Sequence, residues 1–376
     1  MALYRDKNLE KANEVMLRRI PFDKIENFRD LGGYAARYGE TSFGVVYRSG
    51  TLSDASDADI EKMAEIGLKS IIDIRDDESK ASRPDRFAKD PRFATISLPV
   101  NGNGRIPKDH EDQVQSYLEM LEDPSSARNI FLALAHAQKP LVIHCNAGKD
   151  RTGAFIAVLL LANGVPFHDV NADYMLSFPY LTRMTRITKS TYPDFPKTVL
   201  TPDVDFLKEV MKEFNQLWGK IDEYFQTIGI SEDDIALLDN LLGKQEKSCG
   251  AVVFHEGKVL VEHMKKGHYS FPKGHVEKWD KDDQGTALRE IKEETNLEPK
   301  ILSSETWSID YSPKEGVAKR VVFFIADSKE TETKVQPEEV TACYWLSPND
   351  ALKTLTHDSD KKILTWACNL RAKIAD

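Results

Sequence analysis

Cysteine is scarce in this chain: four in 376 residues, Cys145, Cys249, Cys343 and Cys368, with no Cys-x-x-Cys pair. That spacing excludes a disulfide framework and a zinc knot built on paired thiols. Long apolar runs are missing too. The longest, AFIAVLLLA at 154–162, is too short to cross a bilayer, so no membrane span is expected. The opening residues MALYRDKNLEKANEV are charged where a secretory leader would be apolar, and the chain is read as cytoplasmic. Basic residues are outnumbered: 51 Lys and Arg against 61 Asp and Glu leave a net charge of −10. This argues against a general binder of nucleic acid duplexes, which needs accumulated cations along the phosphate backbone. Any phosphate recognition must be local. Repeats and low-complexity segments are absent as well.

What is present suits two folded domains, since 376 residues is long for one core and 41% hydrophobic content can fill both. In the first half, KSIIDIR (69–75), ATISLPV (94–100) and PLVIHC (140–145) read as buried strands. Between them, DADIEKMAEIG and the stretch from Asp112 to Gln138 carry apolar residues at helical spacing. The alternation predicts an α/β domain whose central, mostly parallel sheet is flanked by helices. After Arg151, TGAFIAVLLLANGV reads as a buried helix ending at Asn163-Gly164. The rest of this half, to about Leu242, reads as mainly helical, with KEVMKEFNQLWGKIDEYFQTIGI the clearest amphipathic piece. The polar stretch GKQEKS, 243–248, reads as a connector, giving domains of 1–243 and 248–376. Beyond it, two strands around a His-Glu-Gly-Lys turn, a Gly-rich loop, a helix, two more strands and a closing helix make an α+β domain, a mixed sheet sandwiched by helices.

The stretch HCNAGKDRTG, 144–153, follows the apolar run PLVI. A cysteine that merely packs does not need these neighbours. The loop presents the successive backbone N–H groups of Asn146, Ala147, Gly148 and Lys149; Gly148 permits the tight turn, and the following helix aims its positive end into the loop. Such a cradle suits a phosphate dianion and favours a thiolate, which marks Cys145 as a nucleophile. Arg151 can grip two phosphoryl oxygens, Thr152 can donate to the sulfur, and His144 can hydrogen-bond the loop backbone. A phosphocysteine intermediate follows. The GK pair lacks the earlier glycine and the adjoining Ser or Thr of a nucleotide-binding loop.

This string resembles the H-C-x-x-G-x-x-R-[ST]-G signature of the protein tyrosine phosphatase superfamily. With NFRDLGGY (27–34), YRSGTL (47–52) and SIIDIRDDES (70–79), it is similar to the bacterial branch whose members also attack phosphoinositides. The resemblance implies that Lys149 adds charge for a multiply phosphorylated substrate and that Asp150 serves proton transfer, with Asp109, Asp73 and Asp76 as the other candidate acids. Arg48 and Arg75 are substrate-side cations or structural ion pairs. No cofactor is expected in this half.

In the second half, Glu290, Glu293 and Glu294 of TALREIKEETN fall at i, i+3 and i+4. Like charges so placed repel unless a cation lies among them, and carboxylate oxygens suit Mg²⁺ or Mn²⁺. Arg289 can hold a neighbouring carboxylate, and the glycine loop gives metals and a pyrophosphate room. The segment 274–297, with FPKGHVE before it and YWLSPNDAL after it, resembles the Nudix hydrolases, particularly those cutting diadenosine or diphosphoinositol polyphosphates. This implies Glu290, Glu293 and Glu294 as metal ligands with the Gly274 carbonyl, and Glu293 also among the catalytic groups. A further base is expected at Glu338 or Glu339. The first motif glutamate has no clean counterpart; Asp280 or Asp282 stands nearest. Asn296 replaces the final glycine, and asparagine tolerates the left-handed conformation a helix end needs. Lys265, Lys266, His268 and Lys273 form a basic patch for substrate phosphates.

The two halves together imply a bifunctional phosphohydrolase acting on small phosphorylated substrates, with inositol pyrophosphates fitting both. The alternative is a phosphotyrosine or phosphoinositide phosphatase whose second half hydrolyses dinucleoside polyphosphates or only senses a nucleotide.

Overall fold

The structure is a computed structural model that describes residues 18–100, 107–201, 203–277 and 279–375. The charged opening stretch and the glycine-rich NGNGRI at 101–106 lie outside the described residues. The chain divides into two compact units, Met1–Lys244 with Lys314–Ala318, and Gln245–Pro313 with Lys319–Asp376. Among the described residues no helix is long and apolar enough to cross a membrane.

In the first unit, β1 (Arg29–Asp30), β2 (Val46–Ser49), β3 (Ser70–Asp73), β4 (Ala94–Ser97) and β5 (Leu141–His144) form a sheet in the order β1-β2-β5-β3-β4. Only β1 pairs antiparallel. The short apolar strands β2, β3 and β5 are buried throughout, as strands covered on both faces must be. ATISLPV departs from expectation: β4 has one neighbour, sits at the sheet edge and is largely exposed. Ser49 and Asp73 both pair with His144, so three parallel strands end level. Gly50, Ile74 and Cys145 therefore leave the sheet side by side at its carboxyl edge, the place where open α/β sheets hold ligands.

Helices α1 (Asp77–Ser82), α2 (His110–Glu122), α3 (Pro124–His136), α4 (Asp150–Ala162) and α5 (Phe167–Tyr180) matter most for the site. The expected single stretch from Asp112 to Gln138 is two helices: Asp123 caps the second through Ser125 N, and Pro124 opens it. α4 begins at Asp150, before Arg151 rather than after it, and is buried on nearly all sides because almost every side chain is apolar. It ends at Asn163, with Gly164 at φ +74°. The long amphipathic stretch is likewise two helices, Phe206–Trp218 and Ile221–Thr227, interrupted at Gly219, where φ is +73°.

The second unit carries an eight-stranded sheet of β6 (Lys244–His255), β7 (Lys258–Met264), β8 (Tyr269–Ser270), β9 (Lys273–His275), β10 (Lys300–Ile301), β11 (Trp307–Lys314), β12 (Val317–Asp327) and β13 (Val340–Leu346). The polar stretch after Gly243, expected as a connector, is already the start of β6, and Ser248 pairs with His275. Side chains alternate between faces along each strand. On one face Cys249, Ala251, Val253 and Leu260 pack with Ala287 and Ile291 of α6 (Asp283–Thr295). On the other, Val252, Phe254, Val259 and Val261 pack with Ala351 of α7 (Pro348–Thr354) and Ile363, Leu364 and Ala367 of α8 (Asp358–Ala375). The sheet is thus sandwiched by helices, as expected.

Candidate active sites

The loop between β5 and α4 has its carbonyls committed on one side. Asn146 O accepts from Thr51 N at 2.9 Å, Ala147 O from Asn27 Nδ2 at 2.9 Å, and Gly148 O from Asn27 Nδ2 at 3.1 Å and Arg48 Nη2 at 2.8 Å. In a trans peptide the N–H points opposite the C=O. The amides of Ala147, Gly148 and Lys149 are therefore turned inward, and Gly148 N donates to Cys145 Sγ at 3.2 Å. Gly148 itself has φ +65°, and a Cβ there would lie 2.0 Å from Ser49 O, so this position admits only glycine.

Behind the loop lies a buried ionic cluster. Arg29 Nε meets Asp173 Oδ1 at 2.8 Å, and Arg48 Nη1 meets Asp173 Oδ2 at 2.5 Å, all three residues being fully or almost fully buried. Arg29 also donates to Asn27, and Tyr34 to Asp173. Burial pushes the Asp173 carboxyl up, but the two guanidinium groups outweigh it and hold it at about 2. Asn27 and Arg48, the groups that grip the loop, are thus oriented by this cluster.

On the loop's open side, Arg151 Nη2 donates to Asp76 Oδ2 at 2.8 Å, while its Nη1 is buried without a partner among the described residues. A buried guanidinium N–H left in this way can donate to an anion's oxygen. Asn146 donates to Ser79 at 3.0 Å. Thr152 Oγ1 is buried and has no hydrogen-bond partner among the described residues. His144 Nδ1 lies 3.3 Å from Cys145 O and its Nε2 3.1 Å from Asp85 Oδ2.

The candidate acids differ sharply. Asp73 is locked to Arg75 through both oxygens. Asp109 caps α2 through Asp112 N. Burial raises the Asp76 carboxyl, yet Ser79 and Arg151 together hold it below its ordinary value, which suits a carboxylate better than a donor. Asp150 opens α4 beside the loop, accepting from Tyr117 OH at 2.7 Å and pairing with Lys149 Nζ. Tyr117 is buried, which pushes its phenol far up and keeps it a donor. Asp73, Asp85 and His144 offer ligand atoms within 4.8 Å of one another. Arg75 pairs with both carboxylates, so a guanidinium already supplies the cation there.

In the second unit, Arg289 binds Asp280 through two bonds of 2.9 and 2.8 Å, Glu290 at 2.8 Å, Glu293 at 3.0 Å and His275 O at 2.8 Å. A Cβ on Gly274 would overlap the Glu290 carboxylate, so the loop backbone lies directly against that side chain. Glu294 accepts from Lys273 N at 2.9 Å, but among the described residues its Oε1 is buried without a hydrogen-bond partner. Glu262, on β7, is fully buried, and among the same residues neither of its oxygens has a hydrogen-bond partner. Burial first, and then like charges, Glu339 and Glu290 for Glu262 and Glu262 and Glu290 for Glu294, raise both carboxyls far above the ordinary range, against the pull of Lys273. Glu290 is raised as well, by burial first. Orphaned buried oxygens in an all-oxygen set are what a hard divalent cation fits.

Residues 20–243 match the profile of the tyrosine phosphatase family, more than half of the chain. The chain belongs to the tyrosine phosphatase family. Residues 244–367 match the NUDIX domain, so the chain is a fusion of a tyrosine phosphatase domain with a Nudix domain. A Cupriavidus necator protein classed as a tyrosine-protein phosphatase is 31% identical over 227 residues, 55% of this chain and 82% of the relative. The triple specificity protein phosphatase PtpB of Mycobacterium tuberculosis is 23% identical over 269 residues, 57% of this chain and 96% of its own length. Among solved structures, a C. elegans Ap4A hydrolase binary complex aligns with 34% of this chain and 98% of its own, at 23% identity and a TM-score of 0.32.

Several residues expected from the sequence take other places. Arg48 and Arg75 are 1% exposed and spent on buried partners, so neither faces substrate; the structural reading of each holds. Lys149 is also buried, its ammonium held on Asp150 rather than projected into solvent. Burial disfavours its charge, but Asp150 outweighs this and raises it. In the Nudix domain, Asp280 serves Arg289 and Asp282 caps α6 through Gly285 N. Asn296 adopts φ +63° at the helix end, as expected. Of Glu338 and Glu339, both exposed, it is Glu339 whose charge reaches Glu262 and Glu290. Lys265 and Lys266 are exposed in the turn after β7, with Lys265 N bonded to Glu339 O. Sequence reasoning missed Asn27, Arg29, Asp173 and Glu262. The first two lie in the quoted NFRDLGGY, whereas Asp173 and Glu262 carry no local signal.

Two outcomes follow for the phosphatase domain. Asp173→Asn leaves two buried guanidinium groups without a counter-charge, at a cost of about 3–5 kcal/mol in denaturant unfolding. Because the folded carboxyl sits at about 2 against an ordinary 3.8, its contribution is complete above the ordinary value and lost as pH falls through 2; the wild type loses that stability on acidification and the variant has none to lose. Gly148→Ala, forced against Ser49 O, is expected to abolish phosphatase turnover while far-UV circular dichroism stays unchanged; wild-type turnover would refute the tight-loop geometry.

Proposed function

We propose that the chain is a bifunctional phosphohydrolase: a phosphatase working through a phosphocysteine at Cys145, and a metal-dependent Nudix pyrophosphohydrolase, both acting on inositol phosphates and inositol pyrophosphates. The observation that carries the first activity is the loop with its carbonyls tied outward and Gly148 N on the sulfur. In the forward step Cys145 Sγ attacks phosphorus, the bond to the leaving oxygen breaks, and Asp150, as the general acid, delivers a proton to that oxygen. Arg151 and the inward amides take up the charge on the equatorial oxygens. In the second step the Asp150 carboxylate accepts a proton from water, which attacks phosphorus and releases the thiolate and phosphate.

For the Nudix half, Glu290, Glu293 and Glu294 would hold Mg²⁺ or Mn²⁺, with the Gly274 carbonyl as a further donor. When bound, the metal supplies an activated water and neutralises pyrophosphate charge. Arg289 orients Glu290 and Glu293 for that task. Support for a crowded polyanion comes from the cations nearby. Burial lowers the Lys319 ammonium and the His268 imidazole, and in both cases Lys273 and Lys266 repel the charge further, although Glu246 and Glu290 pull the other way at Lys319. Cations so crowded are relieved by a multiply charged anion.

A second reading has a specific observation in its favour. The rings of His263 and Tyr269 stack at 4.5 Å and 25°, and Tyr344 nearby is 42% exposed. Flat faces beside the cations suit a nucleobase, and hence a dinucleoside polyphosphate. Hydrolysis of a diphosphoinositol polyphosphate, followed as released phosphate, and of diadenosine tetraphosphate, followed as nucleotide products, each with and without Mg²⁺, separates the two. Release from the first supports the main reading; turnover of the second alone replaces it.

Cys145→Ser is expected to abolish the phosphatase activity and to leave Mg²⁺-dependent hydrolysis intact; loss of both would contradict the division of labour. Asp150→Asn should lower phosphatase kcat by about 10²–10⁴, and more than Asp76→Asn does. The reverse order would move the acid to Asp76.

A further inference from the structure

Glu262 lies on β7, outside the Gly-rich loop and helix that carry the other carboxylates. Strand parity decides where it points. Leu260, two residues earlier, packs on the face covered by α6, whereas Val259 and Val261 pack on the opposite face, so Glu262 shares the face of Glu290 and Glu294. Its cross-strand neighbours are Ser270 on β8 and Cys343 on β13. Ser270 Oγ accepts from Lys273 Nζ at 3.1 Å, which brings an ammonium alongside. Among the described residues, however, no hydrogen bond reaches either oxygen of Glu262 or Oε1 of Glu294, and Glu262 is 0% exposed. Three buried carboxylate oxygens thus lie on the face of the helix motif without a donor among the described residues, and the charge of Glu262 reaches Glu294. Buried polar atoms left without a partner in a native core call for an explanation, and an ion from outside the polypeptide is one that an all-carboxylate set suits.

We propose that Glu262 is a ligand of the divalent cation of the Nudix domain, closing against Glu294 an inner position that the helix glutamates alone do not form. The inference rests on the reading of Glu290, Glu293 and Glu294 as cation ligands. The partners define its class: carboxylate oxygens favour Mg²⁺ or Mn²⁺ over softer ions. Lys273, bonded to Ser270, keeps the apo cluster tolerable and limits its net charge. Glu262 also ties the cation to the central sheet, so binding is expected to stiffen β7 together with α6. A competing arrangement, in which Glu262 and Glu294 share a proton and bind no metal, has the same buried geometry and a different outcome below.

The test uses the full chain and Mn²⁺ as the probe, with binding followed by titration calorimetry and by electron paramagnetic resonance of free Mn²⁺. Melting is recorded in EDTA and in Mn²⁺. Glu262→Gln is expected to raise the Mn²⁺ Kd at least tenfold and to shrink the Mn²⁺-induced rise in Tm, while melting in EDTA at or above the wild-type temperature. Glu290→Gln serves as the helix control. Glu262→Gln binding Mn²⁺ as tightly as wild type, with Glu290→Gln impaired, overturns the proposal and leaves the Nudix reading standing. A wild-type chain that binds no Mn²⁺ overturns both. Should Glu262→Gln fail to fold, Glu262→Asp, which keeps the charge on a shorter arm, decides in the same terms: weakened Mn²⁺ binding supports the assignment and unchanged binding refutes it.

Discussion

The phosphatase half depends on which way three peptide groups face. Loop carbonyls left free to turn inward would repel a phosphate dianion. They are held outward by Thr51 N, by the Asn27 amide and by the Arg48 guanidinium, and the opposite ends of the same peptides then form the cradle. Holding an arginine fully buried for this purpose is costly unless its charge is matched. Asp173 matches it, and Arg29 with it. The arrangement therefore runs from a helix residue far along the chain, through two buried cations, to the orientation of backbone amides around a sulfur. The level ends of β2, β3 and β5 bring these parts to one edge of the sheet.

The two halves meet the same chemical problem, the charge of a phosphate group, by different means. One offers amide N–H groups, a helix N-terminus and a guanidinium, and in the proposed mechanism a covalent bond to sulfur. The other buries carboxylates, which by themselves would repel the substrate, and so calls for a divalent cation between protein and phosphate. Arg289 shows how finely the second is balanced: one guanidinium fixes Asp280, Glu290 and Glu293 while leaving Glu294 and Glu262 to the interior. In both domains a glycine is required where backbone crowds a functional group, Gly148 against Ser49 and Gly274 against the Glu290 carboxylate.

The candidate reactive groups stand out in the sequence more readily than their supports. Cys145, Arg151 and the helix glutamates are legible because local chemistry demands fixed spacing along one strand-loop-helix or one helical turn. Asn296 is legible for the same reason: a helix end needs a left-handed residue, and the chain takes φ +63° there. Arg48 and Arg75 look like ligands of an anion in a linear string, and only the sheet shows that each ends on a buried aspartate. Asp173 sits within α5 with no motif around it, and its role exists only after α5 packs beside Arg29 and Arg48. Glu262 reads as a strand residue; alternation places it on a face, but the emptiness around its oxygens is a property of the packed core. ATISLPV is apolar enough for a central strand, yet its place at the edge is decided by topology.

The most direct measurement is a crystal structure of the full chain with orthovanadate. An inward-facing cradle should hold vanadium bonded to Cys145 Sγ, with its equatorial oxygens on the amides of Ala147, Gly148 and Lys149 and on Arg151. Vanadate absent from the loop, or loop carbonyls of 146–148 turned toward the sulfur, would contradict it.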